Sequence, residues 1–126
     1  LLANYFEEKK DGCIAVISSV AGDRGRQSNY LYGSAKGAVS LFLQGMRNRL
    51  SKSNVHILTI KPGLVDSPMT AHLPKNFLYS KPAVIANGIY SAIENKKDIV
   101  YLPKFWWLIL TILKLIPESI FKKLSL

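Results

Sequence analysis

The sequence is poor in cysteine and histidine, and both shortages exclude classes of protein. Cys13 is the only cysteine among 126 residues, so no disulfide can form within the chain and a reducing compartment is favoured. Cys13 lies in an apolar run, where a buried structural thiol is expected. His56 and His72 have no neighbouring ligand residues, so no metal site is indicated.

The sequence also lacks a long apolar run and a leader pattern. No run reaches the roughly 20 residues that a membrane-spanning helix needs. Residues 1–10 lack a basic segment followed by an apolar core, so they are not a signal peptide. They resemble the last turns of a helix, so a truncated start is expected. With 48% hydrophobic residues, the chain can nevertheless form one folded core.

Acidic residues are scarce as well. Seventeen Lys and Arg against eight Asp and Glu give a net charge of +9. This balance favours an anionic partner, which is a nucleic acid, an acidic lipid surface or a phosphorylated substrate. The basic residues are scattered and form no recognisable nucleic-acid-binding module, so nucleic acid is not expected as a partner.

What is present is an alternation of strand-like and helix-like segments. The continuous apolar run at 13–17 predicts a parallel strand covered on both faces. Helical spacing at 32–50 predicts a helix, and 55–60 predicts a second strand. A helix beginning at Pro82 and a strand at 99–102 follow. Strand, helix, strand in this order implies a parallel sheet and therefore an α/β fold.

The spacing of apolar residues also predicts which side of each helix is buried. For the first helix the predicted inner residues are Ala35, Ala38, Val39, Phe42, Met46 and Leu50. For the second they are Val84, Ile85, Ile89, Ala92 and Ile93.

Candidate functional groups converge at the carboxyl ends of the predicted strands, where ligands bind in open α/β sheets. Ser18 and Ser19 end the first strand, and the loop at Pro62 leaves the second. Tyr32 and Lys36 lie four residues apart at the start of a helix, which places both side chains on one face. An ammonium beside a phenol favours the phenolate, so this pair can serve as an acid/base.

With these intervals the chain resembles the carboxyl-terminal half of a short-chain dehydrogenase/reductase. The family's catalytic serine, thirteen residues before its tyrosine, matches Ser19 and Tyr32, and its Tyr-x-x-x-Lys matches Tyr32 and Lys36. Its Pro-Gly-x-Val-x-Thr segment matches Pro62-Gly63-Leu64-Val65-Asp66-Ser67, with serine replacing threonine. The resemblance covers residues 1 to about 103 and implies the carboxyl-terminal half of a Rossmann-like, doubly wound parallel sheet.

The resemblance also implies roles for these residues. Tyr32 would donate a proton to a substrate carbonyl oxygen during hydride delivery, and Ser19 would hold that oxygen by a hydrogen bond. Lys36, with Tyr32, would bind the nicotinamide ribose of NADPH or NADH, with NADP slightly preferred. The residues that would hold the nicotinamide carboxamide are Pro62, Gly63, Val65 and Ser67.

Neighbouring residues have simpler interpretations. Side chains alternate along a strand, so only one of Ser18 and Ser19 can face the site, and Ser19 is the expected one. Tyr30 has no lysine four residues on, which favours a pocket wall or a packing residue. Asp66 has no obvious partner and is expected to be solvated or to cap a turn.

One departure from the family concerns the cofactor. The glycine-rich phosphate turn and the Asn-Asn-Ala-Gly segment have no counterpart here, and Gly22 and Gly25 do not form Gly-x-Gly-x-x-Gly. Family members are roughly twice this length, with the dinucleotide on a doubled βαβ sheet. The chain is therefore expected to be a fragment that is inactive by itself, because most of its cofactor site is missing.

Residues 104–126 differ in character from 1–103, so the chain is divided there into the dehydrogenase half and a tail. About a dozen apolar residues, two tryptophans and four lysines predict an amphipathic helix at the surface of an anionic membrane. The alternative is a helix docked on the enzyme's own surface or on a second subunit. The expected location is cytoplasmic, peripheral on the inner face of the membrane.

Finer strings resemble one branch of the family, the decaprenylphosphoryl-2-keto-β-D-erythro-pentose reductases of cell-envelope biosynthesis. They are residues 21–30, residues 46–50 and the tail. A lipid-linked keto-sugar would then be the substrate, and Arg24 and Arg26 could meet its phosphate, with solvated loop arginines as the alternative. Two rivals remain: a membrane-associated ketoacyl or ketosphingoid reductase, and a non-catalytic module. A homo-oligomer through the 32–50 helix is also expected.

Overall fold

The computed structural model describes residues 1–125. These residues form three β-strands and five α-helices, with short 3-10 turns between some of them. In chain order the elements are α1 (Leu2–Lys9), β1 (Gly12–Ile17), α2 (Tyr30–Leu50), β2 (Val55–Pro62), α3 (Pro82–Glu94), β3 (Ile99–Leu102), α4 (Phe105–Leu115) and α5 (Glu118–Phe121). The 3-10 turns are Val20–Asp23, Ser51–Ser53 and Pro68–Thr70.

The three strands form one parallel sheet in the order β1-β2-β3. Gly12 pairs with Val55 at the start of the β1–β2 ladder, and Ile17 pairs with Ile60 at its end. Helix α2 connects β1 to β2, and α3 connects β2 to β3. The predicted α/β fold with a parallel sheet is confirmed.

The core lies on both faces of β2, because successive side chains of a strand point to opposite faces. Val55 and Ile57 pack against Leu43 and Leu50 of α2. On the other face, buried residues from β2, α3 and β3 form a second cluster: Leu58, Ile60, Ile85, Ala92 and Leu102. Burial on both faces explains why apolar residues occupy both faces of β2, and each fully buried leucine or isoleucine contributes about 2 kcal/mol.

Strand β1 is covered on one face only, so the prediction of a strand covered on both faces was wrong. Ile14 and Val16 pack towards α2. Ala15 and Ile17 point the other way, and Ile17 remains 56% exposed. The reason is that α3 packs over β2 and β3 and does not extend across β1.

Two predicted inner faces need correction. Three predicted inner residues of α2 are exposed: Ala35, Ala38 and Phe42. Leu43 is almost completely buried instead, whereas Val39, Met46 and Leu50 pack inward as predicted, so the core side of α2 is rotated slightly. Val84 of α3 is exposed, although Ile85 and Ala92 are buried as predicted. Helix α1 is capped at its carboxyl end by Lys10, whose backbone adopts a left-handed conformation as the chain turns towards β1.

The tail docks on the body of the protein through α4. Trp106 and Leu110 are buried against Val20, with Leu64 and Tyr101 beside them. No helix within residues 1–125 has the length and apolar character needed to cross a membrane. The docked arrangement thus uses one side of α4, and the opposite side is exposed.

Candidate active site

The 3-10 turn after β1 lies directly on the backbone of α2. A Cβ on Gly22 would stand 2.6 Å from the backbone nitrogen of Gly37, and a Cβ on Gly33 would stand 2.9 Å from the carbonyl oxygen of Ala21. Only glycine permits these approaches, since any larger residue would separate turn and helix. Ser19, which caps this turn, is thereby held against the part of α2 that carries the Tyr32–Lys36 motif.

The two adjacent serines are both buried but have different hydrogen-bond partners. Ser18 is buried, and its Oγ donates to the Lys36 carbonyl oxygen at 2.9 Å and lies 2.7 Å from Ser40 Oγ. Ser19 Oγ instead accepts a hydrogen bond from the Ala21 N–H at 3.1 Å, so its own hydroxyl proton is available to another acceptor. Ser18 therefore ties β1 to α2, and Ser19 stays the predicted site serine.

Tyr32 and Lys36 lie side by side on the first turns of α2. The Lys36 Nζ is 5.9 Å from the centroid of the Tyr32 ring and donates to the carbonyl oxygen of Ile17 at 3.0 Å. Tyr32 is 40% exposed. The ammonium is thus held at the carboxyl end of β1, beside a phenol that a ligand can reach.

The loop that follows β2 is fixed by backbone and threonine hydrogen bonds. The Gly63 N–H donates to the Leu102 carbonyl oxygen at 3.0 Å, and Val65 forms a parallel bridge with Ser80. Thr70 Oγ1 donates to the Val65 carbonyl oxygen at 2.6 Å and accepts from the Ser67 N–H at 3.2 Å. Together these contacts hold 63–70 in one conformation.

The loop and the helix fit the nicotinamide end of a dinucleotide. Within residues 1–125 the Val65 N–H has no acceptor, so it can donate to a carboxamide oxygen. The Lys36 ammonium has two further protons that can bond ribose hydroxyls. The sequence contains no glycine-rich phosphate turn, so only this end of a dinucleotide has a matching site.

Comparison with known proteins identifies the family. The sequence pattern described as short chain dehydrogenase matches residues 1–77, which include Ser19, Tyr32, Lys36 and the loop after β2. The chain belongs to the short chain dehydrogenase family.

Two curated relatives are named as uncharacterized oxidoreductases. An uncharacterized oxidoreductase of Mycobacterium tuberculosis (strain H37Rv) is 33% identical over 113 residues, which is 90% of this chain and 45% of the relative. An uncharacterized oxidoreductase of Streptomyces coelicolor is 28% identical over 118 residues, covering 94% of this chain and 47% of the relative. The chain spans about half the length of the curated relatives it matches.

Solved structures of short chain dehydrogenases have the same fold. One from Burkholderia cenocepacia J2315 in complex with NADP superposes with a TM-score of 0.83 at 18% identity, covering 98% of this chain and 51% of that one. Another from Sphingobium yanoikuyae in complex with NADPH gives 0.74 at 17% identity, with 94% and 51% covered. The predicted Rossmann-like fold is confirmed by this similarity.

The chain also contains a buried charge cluster that the sequence did not reveal. The side chain of Asp23 is only 4% exposed and accepts from Lys61 Nζ and from the Tyr101 hydroxyl, each at 2.5 Å. Lys114 Nζ of α4 lies 3.7 Å from the same carboxylate. Burial, and then the hydrogen bond to Asp23 and its negative charge, raise the pKa of Tyr101.

The cluster joins four elements around the site. Asp23 ends the turn that Ser19 begins, Lys61 precedes Pro62 at the end of β2, and Tyr101 lies on β3. One signal in the sequence could have indicated it. Lys61 interrupts an apolar strand, and a lysine buried there requires a carboxylate partner.

Arg24 has a structural role, so both interpretations of its side chain were wrong. It donates to the carbonyl oxygens of Leu113 and Lys114 at 3.2 and 3.1 Å and pairs with Glu118 at 2.9 Å. Its guanidinium also lies 3.9 Å from the centre of the Phe121 ring. Arg24 therefore caps the carboxyl end of α4 and is not free to bind a substrate phosphate.

Other predicted residues lie where the sequence suggested or close to it. Tyr30 is exposed at the first position of α2 and lines a cavity of about 230 Å³. Asp66 pairs with Lys75 at the surface. Cys13 is half-buried, 3.6 Å from His56 Nδ1, and burial raises the pKa of its thiol.

Proposed function

We propose that the complete protein carrying this chain is an NAD(P)-dependent carbonyl reductase. The observation that carries the proposal is the Lys36 ammonium, 5.9 Å from the Tyr32 ring at the carboxyl end of β1, next to the turn that Ser19 caps. A bound nicotinamide supplies the hydride. NADP and NADPH in the similar solved structures support the phosphorylated form.

The residues of the chain supply the proton and stabilise the negative charge that develops on the substrate oxygen. Tyr32 transfers its phenolic proton to the substrate carbonyl oxygen as that oxygen becomes an alkoxide. Lys36 stabilises the phenolate that remains. Ser19 holds the same oxygen with its hydroxyl proton, which is available because its Oγ is the acceptor in the bond from Ala21.

For the substrate we propose the 2-keto-pentose of a polyprenyl-phosphate sugar. The net charge of +9 favours a phosphate-bearing substrate. The exposed apolar side of α4 favours one carried on a lipid at the inner face of the membrane. The same features would serve a ketoacyl or ketosphingoid lipid reductase.

A non-catalytic dimerisation or interaction module is the second candidate, and a homo-oligomer through α2 is compatible with either candidate. Leu41 and Phe42 on α2 are both more than half exposed, and exposed apolar side chains on one helix suit a subunit contact. The two candidates differ in turnover, since a module would oxidise no cofactor.

The test measures NADPH and NADH oxidation by the complete protein with three ketones. They are a polyprenyl-phosphate 2-keto-pentose, a 3-ketoacyl thioester and a 3-ketosphingoid base. We expect the highest kcat/KM with the keto-sugar and NADPH. A higher kcat/KM with either lipid ketone would show that the keto-sugar is not the preferred substrate. No turnover with any of the three ketones would favour the interaction module.

A further inference from the structure

Helix α4 is apolar on the side that faces solvent as well as on the side that is docked. Leu108 and Leu115 are 54% and 77% exposed, and Ile112 lies between them on the same side. Trp107 lies beside Leu108 in the same helix and is 57% exposed. We call this surface the tail face; it comprises Trp107, Leu108, Ile112 and Leu115.

The docked side of α4 is fixed at both ends, so the tail face cannot turn inward without breaking those contacts. Near its amino end, Trp106 packs so closely on Gly63 that a Cβ there would stand 1.9 Å from the indole nitrogen. At its carboxyl end, Arg24 bonds the last carbonyl oxygens and Glu118. Within residues 1–125 the exposed apolar side chains of α4 therefore lie on the surface.

The surroundings of the tail face are cationic. The tail carries lysines at four positions, Lys104, Lys114, Lys122 and Lys123. Its one acidic residue, Glu118, is already paired with Arg24. Within residues 1–125, Lys104, Lys122 and Lys123 form no ion pair. An apolar stripe with an indole, in a tail whose lysines are mostly unpaired, has the chemistry of a helix that lies in lipid headgroups.

We propose that the tail face binds the surface of an anionic lipid bilayer, with α4 lying in the headgroup region. Charge decides between a bilayer and a second copy of this chain. A symmetric contact between two tail faces would bring their lysines together, whereas anionic headgroups neutralise them. The proposal does not depend on catalysis, because it concerns a surface and not the Tyr32 site.

The experiment is co-sedimentation of the complete protein with vesicles of phosphatidylcholine, with and without phosphatidylglycerol. Leu108→Glu/Leu115→Glu removes the apolar contact, and Val84→Glu/Tyr90→Glu makes the matched change at exposed positions of α3. Lys122→Glu/Lys123→Glu reverses the charge of the tail. Lys9→Glu/Lys10→Glu reverses two exposed lysines at the end of α1, away from the tail. Far-UV circular dichroism and the melting temperature of each variant establish that the fold is kept.

We expect the wild-type protein to bind only the vesicles with phosphatidylglycerol, and added salt to weaken binding. One lysine near an anionic surface contributes about fivefold in affinity, so both tail variants should bind more than tenfold more weakly. Both control variants should bind like the wild type.

Three results would overturn the proposal. They are no binding by the wild type, equal losses in tail and control variants, and a wild-type dimer without vesicle affinity that Leu108→Glu/Leu115→Glu converts to a monomer.

Discussion

The buried carboxylate of Asp23 offers a quantitative test of how the structure is held together. Asp23→Ala would leave the Lys61 ammonium, whose side chain is 11% exposed, without its carboxylate partner. It would also remove the acceptor of the Tyr101 hydroxyl. Breaking one side of a buried pair costs about 3–5 kcal/mol, which is a large part of the 5–15 kcal/mol that stabilises a typical domain.

The assay is urea unfolding followed by tryptophan fluorescence and circular dichroism. Asp66→Ala is the matched control, because Asp66 also pairs with a lysine but both side chains are about half exposed. Such a surface pair contributes about 0–1 kcal/mol. Asp23→Ala combined with Lys61→Met should recover much of the loss, since the unpaired charge is then gone. Equal destabilisation by Asp23→Ala and Asp66→Ala would refute the buried cluster.

Four further changes follow from specific contacts. Ser18→Ala should lower the unfolding free energy by about 1 kcal/mol in urea titrations. Ser19→Ala should lower kcat about a hundredfold with little loss of stability. If Ser18→Ala lowered kcat and Ser19→Ala lowered stability, Ser18 would be the site serine and Ser19 the structural one. The pKa of Tyr101 is higher in the folded protein than the value of about 10 expected in the unfolded chain. The protonated phenol therefore contributes its full stabilisation below about pH 10, and the free energy of unfolding falls as pH rises above about 10. Tyr101→Phe should therefore flatten the alkaline part of the curve of unfolding free energy against pH, and an unchanged slope would contradict the argument. Gly63→Ala should lower the melting temperature, because its Cβ would collide with Trp106; an unchanged value would argue against this packing.

The order of elements and the neighbouring positions of Tyr32 and Lys36 could be predicted from local patterns. The bounds of β3 agree with the predicted 99–102, and α2 begins two residues before Tyr32. The four-residue interval between Tyr32 and Lys36 fixes their shared face through helix geometry alone. Such predictions succeed because each depends on neighbouring residues.

The contacts that position the site depend on residues far apart in sequence. Asp23 meets Lys61 across 38 residues, and Arg24 meets Glu118 across 94. The spacing of apolar residues gives no information about such pairs, and the sequence does not show which loop residue supplies the carboxylate that pairs with Lys61. The rotation of α2 that buries Leu43 and exposes Phe42 is likewise decided by packing against the sheet.

The central claim is that Tyr32 is the proton donor of a carbonyl reductase. The most direct measurement compares kcat for NADPH oxidation with a keto substrate in the wild-type protein, Tyr32→Phe and Tyr30→Phe. Removing a general acid costs about 10²- to 10⁴-fold. We therefore expect Tyr32→Phe to lose at least about a hundredfold and Tyr30→Phe to retain the wild-type rate. A rate for Tyr32→Phe equal to that of the wild type would contradict the proposed mechanism.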